Sequence, residues 1–311
     1  MPEMPRPPAA RSMTGAEWGM LILLSVLWGG SFLFVGIAIR EVPVFSVVAF
    51  RVSVAALALL IVVRAMGIAA PRSGAAVLAF FGMSLLNNII PFNLIVFGQS
   101  RIDSGLASIL NATTPIFTIL FAHFLTSDEK MGLRKGVGAA LGFLGVAALF
   151  SGRDLMAGGS FLAQLACVGA SVSYAFSGIF GRRFARLGLE PLVIATGQLT
   201  ASALVMVPLA LIVDAPFSRP MPSLPALGAL TVLALASTAG AYILFFRILN
   251  RAGATNISLV TLLVPCSAIL FGVTILGESL GAREAAGFAI IALGLIVIDG
   301  RALRALRLGR R

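Results

Sequence analysis

Charge is what this sequence has least of. Only 11% of its 311 residues are Asp, Glu, Lys or Arg, against 59% apolar, and the mean hydropathy is +1.03. Soluble domains carry about 25% charged and about 45–50% apolar residues, so that class is excluded. The single histidine, His123, rules out two-histidine metal sites such as H-E-x-x-H. Lys130 and Lys135 are the two lysines, and they follow Glu129 and Arg134, so the G-K-[ST] of a phosphate-binding loop is missing. Neither ATP hydrolysis, nor a metal, nor a cofactor is expected. Cys167 and Cys266 sit in separate apolar runs and read as small core residues.

Long apolar runs fill the rest. One membrane span takes about 20 residues, so ten spans use roughly 200 and leave only short loops and tails. Apolar runs and their Gly and Pro punctuation predict spans at 17–39, 43–63, 74–99, 104–125, 133–150, 157–181, 190–213, 224–247, 254–276 and 283–300. The fold class is an all-α polytopic membrane protein with ten transmembrane helices. The first run, from Trp18 to Ile39, has span length and no small-residue cleavage site, so it reads as a span rather than a removed signal.

The net charge of +11 is not a nucleic-acid footprint, because the arginines cluster between apolar runs. Sorted by alternate loop, 17 of the 23 Lys and Arg fall on the side of the two termini, 5 fall on the other, and Arg51 lies inside a span. Positive residues accumulate on the cytoplasmic side. Both termini, the tail at 1–16 and the basic tail at 304–311, are therefore expected in the cytoplasm.

The chain also repeats. Arg101, Ser108, Pro115 and Ile119 recur 150 positions later as Arg251, Ser258, Pro265 and Ile269; Glu129, Gly138 and Gly145 recur 149 later as Glu278, Gly287 and Gly294. Two five-helix repeats follow, 17–150 and 157–303. Five is odd, so the second copy enters the membrane from the opposite side. Inverted repeats of this kind place a substrate site near the midplane and alternate access by rocking one half against the other.

Trp28-Gly29-Gly30-Ser31-Phe32, Phe50-Arg51, the Pro-broken Asn111-Ala112-Thr113-Thr114-Pro115 and the Glu-x-x-Gly closing each half resemble the drug/metabolite transporter superfamily, EamA type. The resemblance covers nearly the whole chain. It implies a small-metabolite permease of the bacterial inner membrane, often an exporter of amino acids, and the narrower likeness is to exporters of aromatic amino acids in enteric bacteria. A small-molecule substrate and membrane lipid are the expected partners, nucleic acid is not, and the chain is a monomer or homodimer.

Candidate cavity residues follow from the cost of polar groups in lipid. Proline frees the carbonyl four residues earlier; Pro91, Pro115 and Pro265 free those of Asn87, Asn111 and Thr261. Asn87 and Asn88 need partners within the bundle. Trp28, Tyr174 and Tyr242 are deep aromatics with polar handles; Ser31 and Ser177 stand one turn beyond the first two, and Thr114 and Ser258 complete the set. Packing is the competing role for each. Arg51 is the one charge well inside a span, and intramembrane arginine is costly. Contact with a substrate carboxylate, gating, and anchoring by snorkelling are all open to it.

No Asp or Glu lies at the middle of a span; Glu17, Asp103, Glu278 and Asp299 fall at ends. The small multidrug members of the superfamily use a mid-helix glutamate, so facilitated transport is expected and a proton-coupled antiporter of other metabolites is the alternative. An intramembrane enzyme lacks paired aspartates or histidines here, and a channel lacks a filter loop or rings of like residues.

Overall fold

The computed structural model describes residues 13–151, apart from 70 and 72, and residues 160–300. Most of the two basic tails, together with Arg72 and Arg153, lies outside these residues. Ten helices follow in order: α1 Gly15–Ala38, α2 Val44–Ala65, α3 Gly74–Gln99, α4 Ser104–Leu125, α5 Leu133–Leu149, α6 Ser160–Arg186, α7 Pro191–Val213, α8 Leu224–Ala252, α9 Val260–Leu276 and α10 Ala282–Asp299. Seven of them are long and apolar enough to cross a membrane on length and composition alone, and α9 is a shorter apolar helix. Most helix ends match the apolar runs, but α9 starts at Val260 rather than 254, after a separate short helix Ala254–Ile257, and two other helices run past the charge that marked their ends. Helix α6 runs on to Arg186 rather than ending at 181, and α8 reaches Ala252 rather than 247. Hydropathy marks where the lipid ends, but backbone hydrogen bonding carries a helix on into the headgroup region.

Helix ends are capped as their sequences ask. Thr14 and Glu17 form a reciprocal capping box at α1, and Ser73 and Ser223 accept from the third residues of α3 and α8. The face with the ends of α10 and the start of α1 is termed the terminal face, and the other the distal face.

Packing obeys the repeat. Helix α2 lies on α7 and α5 on α10; α1 packs against α8 and α9, and α6 against α3 and α4. Exchanging each helix with the one five later returns the same pairs, so the halves are related by a pseudo-twofold axis. With five helices per half, that axis lies in the membrane plane and the repeats are inverted. The symmetry reaches atoms at the α5–α10 seam. A Cβ on Gly138 would come 2.6 Å from the Gly294 carbonyl, and one on Gly145 would come 2.9 Å from that of Gly287. These two contacts exchange under the repeat, and both require backbone against backbone. Gly29 does the same between α1 and α9: its Cβ would lie 2.5 Å from Ser267 Oγ, which donates to the Ser25 carbonyl at 2.8 Å.

Candidate functional site

Helices α3 and α8 are not regular. Each relaxes into a π segment at the same place in the repeat, Leu85–Ile89 in α3 and Leu235–Gly240 in α8, with starts 150 residues apart. A π turn adds a residue to the helical turn and re-aims the side chains around it, and such bulges concentrate at functional sites. Asn87 and Asn88 stand on the first bulge and their repeat counterparts, Ser237 and Thr238, on the second. Pro91 follows the first bulge in the opening turn of Ile90–Gln99, where its missing N–H costs least.

The first bulge opens onto a polar network that α8 joins just past its own bulge, at Tyr242. Asn87 Nδ2 donates to Tyr242 Oη at 2.8 Å and to Gln198 Oε1 at 3.3 Å, and its Oδ1 accepts from Ser177 Oγ at 3.1 Å. Tyr242 Oη donates to Asn88 Oδ1 at 3.2 Å, and Asn88 Nδ2 donates to Ser202 Oγ at 3.0 Å. Four helices, α3 of the first half and α6, α7 and α8 of the second, thus meet at two amides. Asn88 is fully buried, so each bond satisfies a group that lipid or core would otherwise penalise.

Arg51 sits beside this network. It is 7% exposed, roughly 10 Å into α2 from Val44 at 1.5 Å per residue. Its Nε donates to Thr238 Oγ1 at 2.9 Å, and its guanidinium lies 3.7 Å from the centre of the Phe92 ring. Thr238 Oγ1 in turn donates to the Leu233 carbonyl at 2.7 Å. Among the described residues Arg51 has no carboxylate partner, and its Nη groups make no hydrogen bond to protein. A buried fork of donors without an anion is costly, and its geometry suits a bidentate carboxylate.

The other candidate residues lie around this centre rather than in it. Trp28 packs on Phe245 with ring centres 5.6 Å apart, and Ser31 donates to the Trp28 carbonyl. Tyr174 joins the two main apolar clusters of the protein. Pro115 follows a break at Ala112 and Thr113 in α4. The carbonyl it frees at Asn111 accepts from Thr114 Oγ1 at 2.8 Å and Ser171 Oγ at 3.2 Å, so protein hydroxyls already occupy it. Ser258 stands exposed before α9 and Thr261 half-buried at its start, with Thr261 Oγ1 donating to the Ser258 carbonyl, and Pro265 is buried one turn on. His123 is tied into the α4–α5 connection, its Nδ1 accepting from the Met131 N–H at 3.1 Å. Gln198, Ser202, Phe92 and Thr238 escaped the sequence reading. The repeat offset from Asn88 points to Thr238; the other three have no signal short of the tertiary contacts.

Ten helices in two inverted halves, with a polar network between them, define a multi-pass membrane transporter. The chain belongs to the EamA-like transporter family, which matches residues 17–151 and 161–299. It is 24% identical over 283 residues to the uncharacterized transporter YoaV of Bacillus subtilis, covering 89% of this chain and 94% of that one. It is 26% identical over 289 residues to the uncharacterized inner membrane transporter YedA of Escherichia coli, covering 90% of each. A solved crystal structure 19% identical to it aligns over 95% of this chain and 99% of its own with a TM-score of 0.66, which shows the shared fold. These relatives are transporters, and the chain is a transporter rather than an enzyme.

Proposed function

We propose that the protein is a secondary transporter of the bacterial inner membrane that moves amino acids or similar carboxylate-bearing metabolites by alternating access between its halves. The observation that carries this reading is Arg51, a buried guanidinium between the two repeats with both Nη groups unengaged. A substrate carboxylate supplies the missing anion, while the amides of Asn87 and Asn88 and the hydroxyl of Tyr242 offer donors and acceptors for an ammonium or hydroxyl. Trp28 and Phe245 add apolar surface beside the path. The terminal face is cytoplasmic on the distribution of Lys and Arg. Every Asp and Glu among the described residues lies in a loop or at a helix end, which favours downhill facilitation over carboxylate-borne proton coupling.

The test is counterflow of a labelled amino acid panel by purified protein in liposomes. We expect saturable exchange that Arg51→Gln lowers at least tenfold for zwitterionic and acidic substrates while sparing cationic ones. Exchange of none of the panel by the wild type, or normal kinetics in a folded Arg51→Gln protein, refutes the reading. Uphill flux driven by a proton gradient refutes facilitation alone.

A further inference from the structure

A polar vestibule opens at the distal face, away from the central network. Its cavity of about 500 Å³ lies between the end of α1, the α3–α4 connection and the α9–α10 connection, and includes Arg40, Gln99, Asp103 and Glu278. That volume is within the range of small-ligand sites, about 300–1,000 Å³.

Helix capping explains part of this lining. Asp103 occupies the N-cap position of α4, yet its side chain makes no cap bond. Glu278, from the other half of the chain, does the capping instead, accepting from the N–H groups of Ser104 and Gly105 at 2.8 and 3.2 Å and from Ser104 Oγ at 2.7 Å. Glu278 is therefore engaged, whereas Asp103 has no side-chain partner among the described residues. Gln99 is 8% exposed; its Nε2 donates to the Phe32 carbonyl at 2.8 Å and its Oε1 has no donor. An orphaned amide oxygen is rare in a folded protein and calls for an explanation.

We propose that the vestibule is a second binding site, for a zwitterionic α-amino acid, in which Asp103 and Gln99 Oε1 hold the ammonium and Arg40 faces the carboxylate. The proposal rests on the amino acid reading of the central site for its ligand class. Three features fit it independently of transport. The cavity presents both signs of charge. The free carboxylate is one that a cation relieves: partial burial, with the charges of Glu278 and Glu284, holds Asp103 above the usual carboxylate range. And the unsatisfied oxygen acquires a donor. Gln99 and Phe92 are seven residues apart on α3, about 10 Å at helical rise, so the vestibule stands one short step from the guanidinium of Arg51.

Binding of radiolabelled neutral L-amino acids to detergent-purified protein tests this, with each variant first shown to elute as a single folded species. Arg51→Gln should retain a weak site whose affinity falls at least tenfold on adding Asp103→Asn, and similarly on adding Arg40→Gln. In liposomes, Asp103→Asn should raise the half-saturating concentration at the distal face and leave that at the terminal face unchanged. Wild type that binds while Arg51→Gln is silent overturns the vestibule and leaves the central reading intact. Unchanged affinity in the double variants also overturns it. Arg51→Gln that transports normally while the Asp103 effects persist overturns the central reading alone, and a wild type that binds none of the panel overturns both.

Discussion

Thr238 shows how much a single hydroxyl carries in a dry interior. It is the sole protein partner of Arg51 Nε among the described residues, and it is 2% exposed. Replacing it with valine keeps the shape and removes the acceptor, leaving a buried charged donor unpaired. Hydrogen bonds to charged groups contribute about 1.5–3 kcal/mol. Thr238→Val should therefore lower the melting temperature in detergent and alter Arg51-dependent transport, whereas Thr238→Ser should keep both close to wild type. Asn88→Leu removes the acceptor of the Tyr242 hydroxyl and the donor to Ser202 Oγ, leaving Tyr242 Oη with Asn87 and Ser202 Oγ with the Gln198 carbonyl, a loss of about 0.5–1.5 kcal/mol per hydrogen bond; thermal melting of the purified protein checks this. Asn88 was legible in the sequence because an amide in an apolar run needs a partner. Which partners it takes was not, since Ser202 and Tyr242 lie 114 and 154 positions away.

Close packing and local irregularity act at the level of the element. Within α5, a side chain at Gly136 meets nothing within 4 Å, but one at Gly138 meets the backbone of Gly294 and Ile298. Gly138→Leu should force α5 and α10 apart and destabilise the protein by about 1–3 kcal/mol or more, while Gly136→Leu should be nearly neutral. Paired melting curves of the two variants decide it. The small-residue pattern of these helices announced such a seam. The π segments had no such announcement: an extra residue in one turn changes backbone register and leaves composition untouched. Their matched positions in α3 and α8 extend the repeat to a backbone device carried by different side chains, Asn87 and Asn88 in one half and Ser237 and Thr238 in the other.

Across the whole molecule, the halves are tied together at the distal face by carboxylates that reach from one repeat to the other. Glu41 accepts from the N–H and Oγ of Ser223, each at 2.7 Å; Asp214 accepts from those of Ser46 at 2.7 and 2.8 Å; Glu278 caps α4. At the terminal face Arg182 pairs with Asp128 at 2.9 Å and with Glu129, an exposed arrangement of small worth. Ser223 holds the Glu41 carboxyl below the ordinary carboxylate range by donating to its ionised form. A depressed carboxylate contributes its stability above its ordinary pKa, about 4.3, and loses it as pH falls through the lower folded value. The Glu41–Ser223 tie should thus hold unchanged from pH 8 to about pH 5 and release only in stronger acid. Distances between spin labels on the α1–α2 and α7–α8 connections, measured across that range, check the prediction; widening between pH 7 and 5 contradicts it. At fixed neutral pH, Glu41→Ala should widen the same distance.

The sequence by itself determined the ten apolar helices, their pairing into inverted halves and the short roster of polar residues in the membrane. It did so because lipid tolerates one kind of span and penalises each polar group it contains. Tertiary structure alone decided which of those residues meet. It gathered Asn87, Asn88, Ser177 and Tyr242 around the bulges with Arg51 beside them, drew in Gln198, Ser202 and Thr238, and gave the Asn111 carbonyl to protein hydroxyls. It also turned Glu278 into the cap of a helix in the other half. Every one of these outcomes depends on two distant segments arriving in register, and register between helices is set by close packing over their whole length rather than by any local run of residues.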